Sequence, residues 1–532
     1  MTRKVLIVLL AVFAVVVIVA LVVIPQLVNA DRLRPVIETR LGAALGRPVA
    51  IGKLRFSWMA GGVAAEDISI ADDPAFSPKP FVTAKMLDVR VDIWPLLLHR
   101  QIHIDSITLK QPQLTLLQSG SRWNFSSLGA TAPAAAPATS PAPTSAPPEL
   151  TLKKFTISNG QITMQQPGSA KTFSDLNISA SDVALDSNFP FSLSAKMPGN
   201  GQLTLEGKAG PAPKDDLAQM PVQANVKVEH LNVAAYAQRG TKIGGTAGFN
   251  ANLQSDGKLA HLEGSTKIDN LVLDQGGTPI PQAVTFNFAA DYTLATQGGR
   301  VTRGDAQVGK SVVHLTGGFQ TQGANTMLNF MLVAPGLQAT DIEKILKAMA
   351  IALPGGASLQ SGTATANLAI NGPTSAPVIT GPVHVENLTV AGFSLSSKLH
   401  GIGSLAGLPS GADTRLESFD AKVRVANEGE RLDDMRAVIA GMGNLTGSGT
   451  IGADRRLNFN LVAHFGKSGA LGLLQAASGQ QGIPFRVEGT TNDPKFVPEL
   501  GNMVHTPAIP SQLQSPQNNL GNALGGIFKK KK

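Results

Sequence analysis

The sequence predicts a mainly β protein behind a single N-terminal transmembrane helix, and three observations predict it. Residues 5–24, VLIVLLAVFAVVVIVALVVI, carry no polar side chain, and seventeen of them are Val, Leu, Ile or Phe. At about 1.5 Å rise per residue such a helix spans a hydrocarbon core of roughly 30 Å. Beyond residue 47 the hydrophobic period becomes two, as in FVTAKMLDVRVDIW, where Met86, Asp88, Arg90 and Asp92 alternate with Leu87, Val89, Val91 and Ile93. Finally, 55 Gly and 34 Pro against 5% aromatic and 15% charged residues suit short strands and turns, mostly antiparallel, with a few short helices.

In chain order, residues 1–28 form a short cytoplasmic N-terminus and the anchor. Arg3 and Lys4 before the span place the N-terminus inside and the bulk of the chain across the membrane. The rival is a cleaved signal peptide, since Val28-Asn29-Ala30 resembles a small-residue cleavage site, but an apolar run of this length exceeds the ~7–15 residues of a signal segment and favours the retained anchor. Residues 29–128 begin with a helix over 31–46, where Leu33, Ile37, Leu41 and Leu45 share a face and Gly46 can end it, and continue as strands. Residues 129–149 are a Pro/Ala/Ser/Thr linker without apolar periodicity. Residues 150–500 are a strand-rich body, interrupted by a helix over 340–353 with Thr340 and Glu343 as a capping box and Ile342, Ile345, Leu346 and Met349 as its stripe. Residues 501–532 are a basic tail.

Two stretches 48 residues apart are alike: IHIDSITLKQPQLTL (102–116) and LTLKKFTISNGQITM (150–164). Ile107, Leu109, Leu114 and Leu116 correspond to Phe155, Ile157, Ile162 and Met164, and Thr108, Gln113 and Thr115 recur as Thr156, Gln161 and Thr163. In a chain this apolar the hydrophobic match alone is unremarkable, whereas the matched polar residues argue for a strand-and-turn module. Its first half recurs at Val226, Val228, Leu231 and Val233 and at Val383, Val385, Leu388 and Val390. Each copy contains a three-residue step (IDS, LKK, VEH, VEN) that reverses the apolar face unless a bulge or turn absorbs one residue, and repeated bulges curl a sheet.

The chemistry of catalysis is not signalled. There is no cysteine for thiol, zinc or iron–sulfur chemistry, and no G-x-S-x-G, H-E-x-x-H or Walker A loop. Gly447, Gly449 and Gly452 satisfy G-x-G-x-x-G, but an alternating segment follows where a dinucleotide site needs a helix, so a glycine-rich hairpin is expected. His99 and His103 lie about 13 Å apart in an extended chain, and Asp433 with Asp434 reads as a solvated turn. No cofactor, metal or catalytic residue is expected. Nucleic acid is not an expected partner either: Arg3, Lys4 and Lys529–Lys532 supply six of the net +8 charges, leaving +2 for the rest. Phe528, Lys529, Lys530, Lys531 and Lys532 are candidates for contact with an anionic membrane surface; the alternative is a disordered basic end.

The segments LGRPVAIGKLRFSW, WPLLLHRQIHIDSITLKQPQLTLL and GSRWNFSSL, with Gly120, Asn124 and Phe125, occur in an order that resembles the AsmA-like family of bacterial envelope proteins. LQSGTATANLAINGPTSAPVITGPVHVENLTVAGFSL and IPFRVEGTTNDPKFVPELG resemble that family's later strands and ending. The resemblance implies an elongated, twisted sheet curled into a groove with an apolar interior, related to bridge-like lipid transfer proteins, and a role in outer-membrane lipid homeostasis. On that basis Ile107, Leu109, Leu114, Leu116, Phe155, Ile157, Ile162, Met164, Leu231, Val233, Leu388 and Val390 are expected to line a groove for phospholipid. The expected protein is no enzyme; it sits in the bacterial inner membrane through residues 5–24 with its bulk in the periplasm. An outer-membrane or periplasmic protein is a further possible partner. Two rivals stand beside it: a scaffold or assembly factor for outer-membrane proteins, and an envelope hydrolase with a scattered site. Alternation alone leaves open whether the apolar face is a groove or the core of a closed sandwich.

Overall fold

The computed structural model describes residues 30–57, 62–92, 103–120, 122–129, 151–184, 186–211, 213, 219–237, 242–322, 325–395, 411, 413–465 and 482–498. The apolar span 5–24, the linker and the basic tail lie outside these residues, and no described helix is long and apolar enough to cross a membrane. The chain divides into two units, residues 1–352 with 364–379, and residues 353–363 with 380–532.

The first unit opens with helix α1 (Ala30–Leu45), ended by Gly46 at φ 66°. Its Ile37 and Leu41 bury against Ile51, Leu54 and Ala65 of β1 (Val49–Ser57) and β2 (Gly62–Ala71), so these two members of the expected stripe pack on the sheet. Three segments follow: β3 (Pro80–Val91), β4 (His103–Lys110) and β5 (Gln113–Ser119). A short β6 (Arg122–Trp123) leads into the 3-10 turn η1 (Asn124–Ser127).

β7 (Thr151–Gln166) explains the repeated stretch. It pairs in parallel with β4 (His103↔Thr151 to Lys110↔Ser158) and with β5 (Gln113↔Gln161 to Leu117↔Gln165). The 48-residue offset of the two sequences is therefore their hydrogen-bonding register. Like residues stand side by side, and the Gln166 amide donates to Gln118 Oε1 at 2.8 Å. Strands paired in parallel must present their apolar residues to the same side at the same step, which the duplicated pattern ensures. A parallel pair also needs a crossover of a dozen or more residues, and the Pro/Ala tract falls within that connection.

From β7 onward the first unit is an antiparallel meander. It runs β8 (Ser169–Val183), β9 (Phe189–Lys196), β10 (Gln202–Ala209), β11 (Val222–Asn232) and, after the 3-10 turn η2 (Val233–Tyr236), β12 (Gly244–Ser255). It continues through β13 (Leu259–Val272), β14 (Val284–Thr293), β15 (Gly298–Val308), β16 (Ser311–Gln322) and β17 (Asn325–Gln338) to helix α2 (Ala339–Ala348). Each strand pairs with the next, from β7–β8 to β16–β17. β18 (Ser358–Pro373) and β19 (Val378–Ala391) are divided between the units. The second unit continues with β20 (Thr414–Ala426), β21 (Gly429–Ile439), β22 (Gly443–Gly452), β23 (Leu457–Phe465), β24 (Ile483–Gly489) and β25 (Pro494–Pro498), again antiparallel in succession.

α2 starts near its expected place but stops five residues earlier, and Gln338 rather than Thr340 is its N-cap. The Gln338 N–H donates to Ser311 Oγ at 2.9 Å, and the Asp341 carboxylate accepts from Lys310 N–H and Ser311 Oγ, which pins the first turn to the β15–β16 hairpin. At the other end the carbonyls of Lys347 and Ala348 accept N–H groups of Leu273, Asp274 and Thr278, so the last turn is occupied and the helix cannot continue. Gly447 and Gly449 lie within β22, and β23 follows as the alternation required. A Cβ on Gly449 would stand 2.2 Å from the Phe459 ring, so this glycine clears space for an aromatic rather than for a phosphate.

Candidate functional site

The feature that sets the first unit apart is one face of β8–β17. Register places Ile178 beside Leu193, Leu193 beside Leu205, Leu205 beside Val226 and Val226 beside Ala251. Further along, Phe249 faces Thr266, Thr266 faces Phe286, and Phe286 faces Ala306; Phe319 lies beside Leu328 and Phe330 beside Gly317. The opposite face carries Lys227, Asn250, Lys267, Asn287 and Gln320, all exposed. The sheet therefore has one wet side and one apolar side across ten strands, on the order of 40 Å along the ladder.

That apolar side is neither open water-facing surface nor sealed core. Leu193, Leu205, Val226, Phe249, Leu253, Phe286, Leu315, Phe319, Phe330 and Leu332 are half-buried, while small or central residues such as Ala224, Ala251 and Phe288 are buried. Rings line part of it, with Phe249 and Phe286 each stacked on Phe288 at 5.6 and 5.8 Å. In the second unit the equivalent side chains close on themselves: Phe459, Leu461, Phe485 and Val487 are all buried in one cluster, with Phe496 against it.

One long edge of the face is capped. Ile345 and Ala348 of α2 pack with Ile268, Val284 and Val308, and Ile280 from the β13–β14 connection is 1% exposed in the same cluster. Burial raises the Asp341 carboxyl, but Lys344, Ser311 and the Lys310 N–H outweigh it and hold it below the usual carboxylate range. At the β11 end of that edge η2 lies on the β9–β10 turn, where Asn232 N–H donates to Gly199 O. Along the other edge Tyr292 and Leu294 are exposed, and Tyr292 stands 6.4 Å from Phe319.

A recurring backbone device keeps the apolar residues on one side. Asp67, Asn159, Asp175, Asp182, His230, Asn270, Asn387 and Asp434 all have left-handed φ between 50° and 55°, and all but Asn159 immediately precede an apolar residue. Register shifts occur at several of them, including Val228/Leu231 around His230 and Leu432/Met435 around Asp434. Each extra residue turns the following apolar side chain back to the face its predecessors occupy. Of the four steps expected to hold a bulge, VEH and VEN do so at His230 and Asn387. IDS and LKK carry no left-handed residue, although the β3–β4 register shifts beside IDS, between Arg90 and Val91.

The residues expected to line a groove are distributed unevenly. Ile107 and Phe155 belong to a packed cluster with Val89, Ile104 and Leu152. Leu114, Leu116, Ile162 and Met164 belong to another, with Phe81, Phe125 and Leu128. Ile157 is buried and Leu109 half-buried; Leu231 ends the apolar row of β11, Val233 opens η2, and Leu388 and Val390 are half-buried on β19. Phe528 and Lys529–Lys532 lie outside the described residues. The long half-buried stretch through Phe249, Phe286, Phe319 and Phe330 was not singled out from the sequence, although the same alternation runs through it.

Such a sheet defines a class: a β-rich protein whose long apolar face is only partly covered. The AsmA family model matches residues 1–368, and the chain belongs to the AsmA family. Membership and the extensive β-sheet fit, in general, an envelope or lipid-transport role. No curated protein and no solved structure matches the chain.

Proposed function

We propose that this AsmA-family protein carries or shields phospholipid acyl chains on the β8–β17 face, without a covalent step, and thereby supports outer-membrane lipid homeostasis. Residues 5–24 anchor it in the inner membrane and its sheet stands in the periplasm. The observation that carries this reading is the row of half-buried apolar side chains across ten successive strands. An acyl chain laid on that row leaves water at roughly 0.8 kcal/mol per buried methylene, while a headgroup at the edge keeps its hydration.

The scaffold reading requires a surface or sheet edge that accepts a client strand, and the terminal strands discourage edge pairing. At β1 the Ile51 N–H donates to Glu38 Oε1 at 2.7 Å and Gly52 O accepts from Arg34 at 2.8 Å, so α1 occupies that edge. At β25 the mutual bonds of Thr490 and Asp493 make Pro494, Phe496 and Pro498 the outward positions, and two of those three have no N–H to offer.

A photo-crosslinking amino acid at Phe249, and separately at Asn250 on the opposite face, tests the reading in cells. Phospholipid adducts at 249 and none at 250 are expected. Absence of lipid at 249 and at Phe286 and Phe330 would sink it, and protein adducts at those positions would favour the scaffold.

A further inference from the structure

We infer that Lys171 and Tyr236 form a binding site for the phosphate of a phospholipid at the capped edge of the apolar face. The inference rests on the lipid reading above and names the headgroup chemistry it would recognise.

Lys171 is on β8 opposite Met164, two residues before Phe173, which stands opposite Ile162. Its side chain thus rises from the apolar side of the sheet. β9 reaches only as far as Ser174 along β8, so the first residues of β8 extend beyond it, next to the β9–β10 turn. Tyr236 fills that notch: η2 lies on the turn, and a Cβ on Gly199 would meet Ala235 Cβ at 2.8 Å. The Lys171 ammonium sits 4.6 Å from the centre of the Tyr236 ring.

Two groups there have unmet demands. Among the described residues Lys171 is half-buried and its ammonium meets the Tyr236 ring rather than a carboxylate, whereas Lys153, Lys196 and Lys227 nearby along the sheet each hold one. The Tyr236 hydroxyl is shut off from water and has no hydrogen-bond partner among the described residues, and burial raises its pKa, so it stays a neutral donor. A buried donor without an acceptor is unfavourable, which makes it a place where an acceptor is missing. Ammonium and phenol are both donors, and among the described residues no carboxylate pairs with either. The ligand that satisfies both is an anion with several oxygens.

Position selects the source of that anion. Leu203 and Leu231 continue the apolar face from this edge into the sheet, so tails lying on them bring a phosphate to the boundary where Lys171 stands. The phosphate draws the ammonium off the ring by a stronger charge-assisted bond, and that movement uncovers the Tyr236 hydroxyl as the second donor.

The test uses the full chain in neutral detergent with two fluorescent short-chain probes, a phosphatidylglycerol and a diacylglycerol with the same tails. Lys171→Ala is expected to weaken phosphatidylglycerol binding about tenfold, the loss of one charge-assisted bond. Tyr236→Phe should weaken it about threefold. Neither should change diacylglycerol binding, and Lys171→Arg should restore most of the loss. Equal affinity of native and variant proteins for phosphatidylglycerol, with both probes still bound, overturns the site and leaves the groove standing. Binding of neither probe by the native protein overturns both. Displacement of the lipid by free glycerol phosphate at comparable concentration would assign the site to a soluble phosphate and also overturn it.

Discussion

At the scale of single residues, the most demanding arrangement is the buried group around Arg47 and Asn124. Arg47 and Asp72 are each 5% exposed and bridge at 3.0 Å. Asn124, fully buried, donates to Asp72 Oδ2 and Thr115 O and accepts from Leu117 N–H, while Arg47 also donates to the Asn124 carbonyl and to Ser127 Oγ. A buried charge with every partner in place is neutral or mildly favourable, but removing one partner strands the other. Asp72→Ala should therefore destabilise the first unit by about 3–5 kcal/mol, read as a lowered denaturation midpoint. Asn124 stood out in the sequence only as part of a family-like segment; its partner Asp72 did not, because nothing local marks an aspartate that will meet an arginine 25 residues away. A second residue-scale prediction concerns His384. Its Nδ1 is 2.7 Å from Asp420 and its Nε2 2.9 Å from Glu386, and β18 on its other side carries no ionisable residue. Only an imidazolium can donate at both nitrogens, and the bonds to Glu386 and then Asp420 raise its pKa above the ordinary 6.5. The clasp's contribution is thus complete below about pH 6.5 and fades as pH rises through the raised value. An NMR titration of the His384 ring should show the elevated pKa, and Asp420→Asn should bring it down; an unmoved titration would deny the clasp.

At the scale of elements, alternation was legible wherever a strand keeps one dry face, and the repeated stretch proved to carry its own register. The bulges were only half legible. The sequence marks a step at VEH and VEN, but Asp, Asn and His also serve turns and surfaces, so the left-handed residue could not be told from its neighbours by type alone. The signal that was missed is a recurrence: EDISI, SDLNI, EHLNV, DNLVL and ENLTV each place Asp, Asn or His just before an apolar residue that opens a new alternation. Its counterpart is a glycine on the preceding strand or turn, since Gly52, Gly201, Gly245 and Gly362 meet the bulges at Asp67, His230, Asn270 and Asn387. A Cβ on Gly362 would lie 2.7 Å from Glu386 O and Leu388 Cα, at a φ of 105° that L residues avoid. Gly362→Ala should destabilise the second unit by about 1–3 kcal/mol through backbone strain and displacement of the bulge. Asn387→Gly, which keeps the left-handed backbone, should be close to neutral in the same denaturation experiment.

At the scale of the molecule, the question alternation left open is whether apolar faces are packed shut, and the two units answer it differently. In the second unit Phe459 is 8% exposed among Leu461, Phe485 and Val487, so a carboxylate placed there is buried without a partner. In the first, Phe249 keeps partial exposure and its main aromatic contact is Phe288, worth about 1 kcal/mol as a ring pair. Phe459→Asp should therefore cost several kcal/mol and unfold its unit under mild denaturant. Phe249→Asp should lose only a modest part of the stability of its unit, because the new carboxylate can stay hydrated at the face. Its larger effect should be on the ligand: a charge midway along the row breaks the continuous apolar path and should abolish lipid adducts at Phe286 while circular dichroism still reports native strand content. If Phe249→Asp instead unfolds the first unit as thoroughly as Phe459→Asp unfolds the second, the face is a closed core and has no room for an acyl chain.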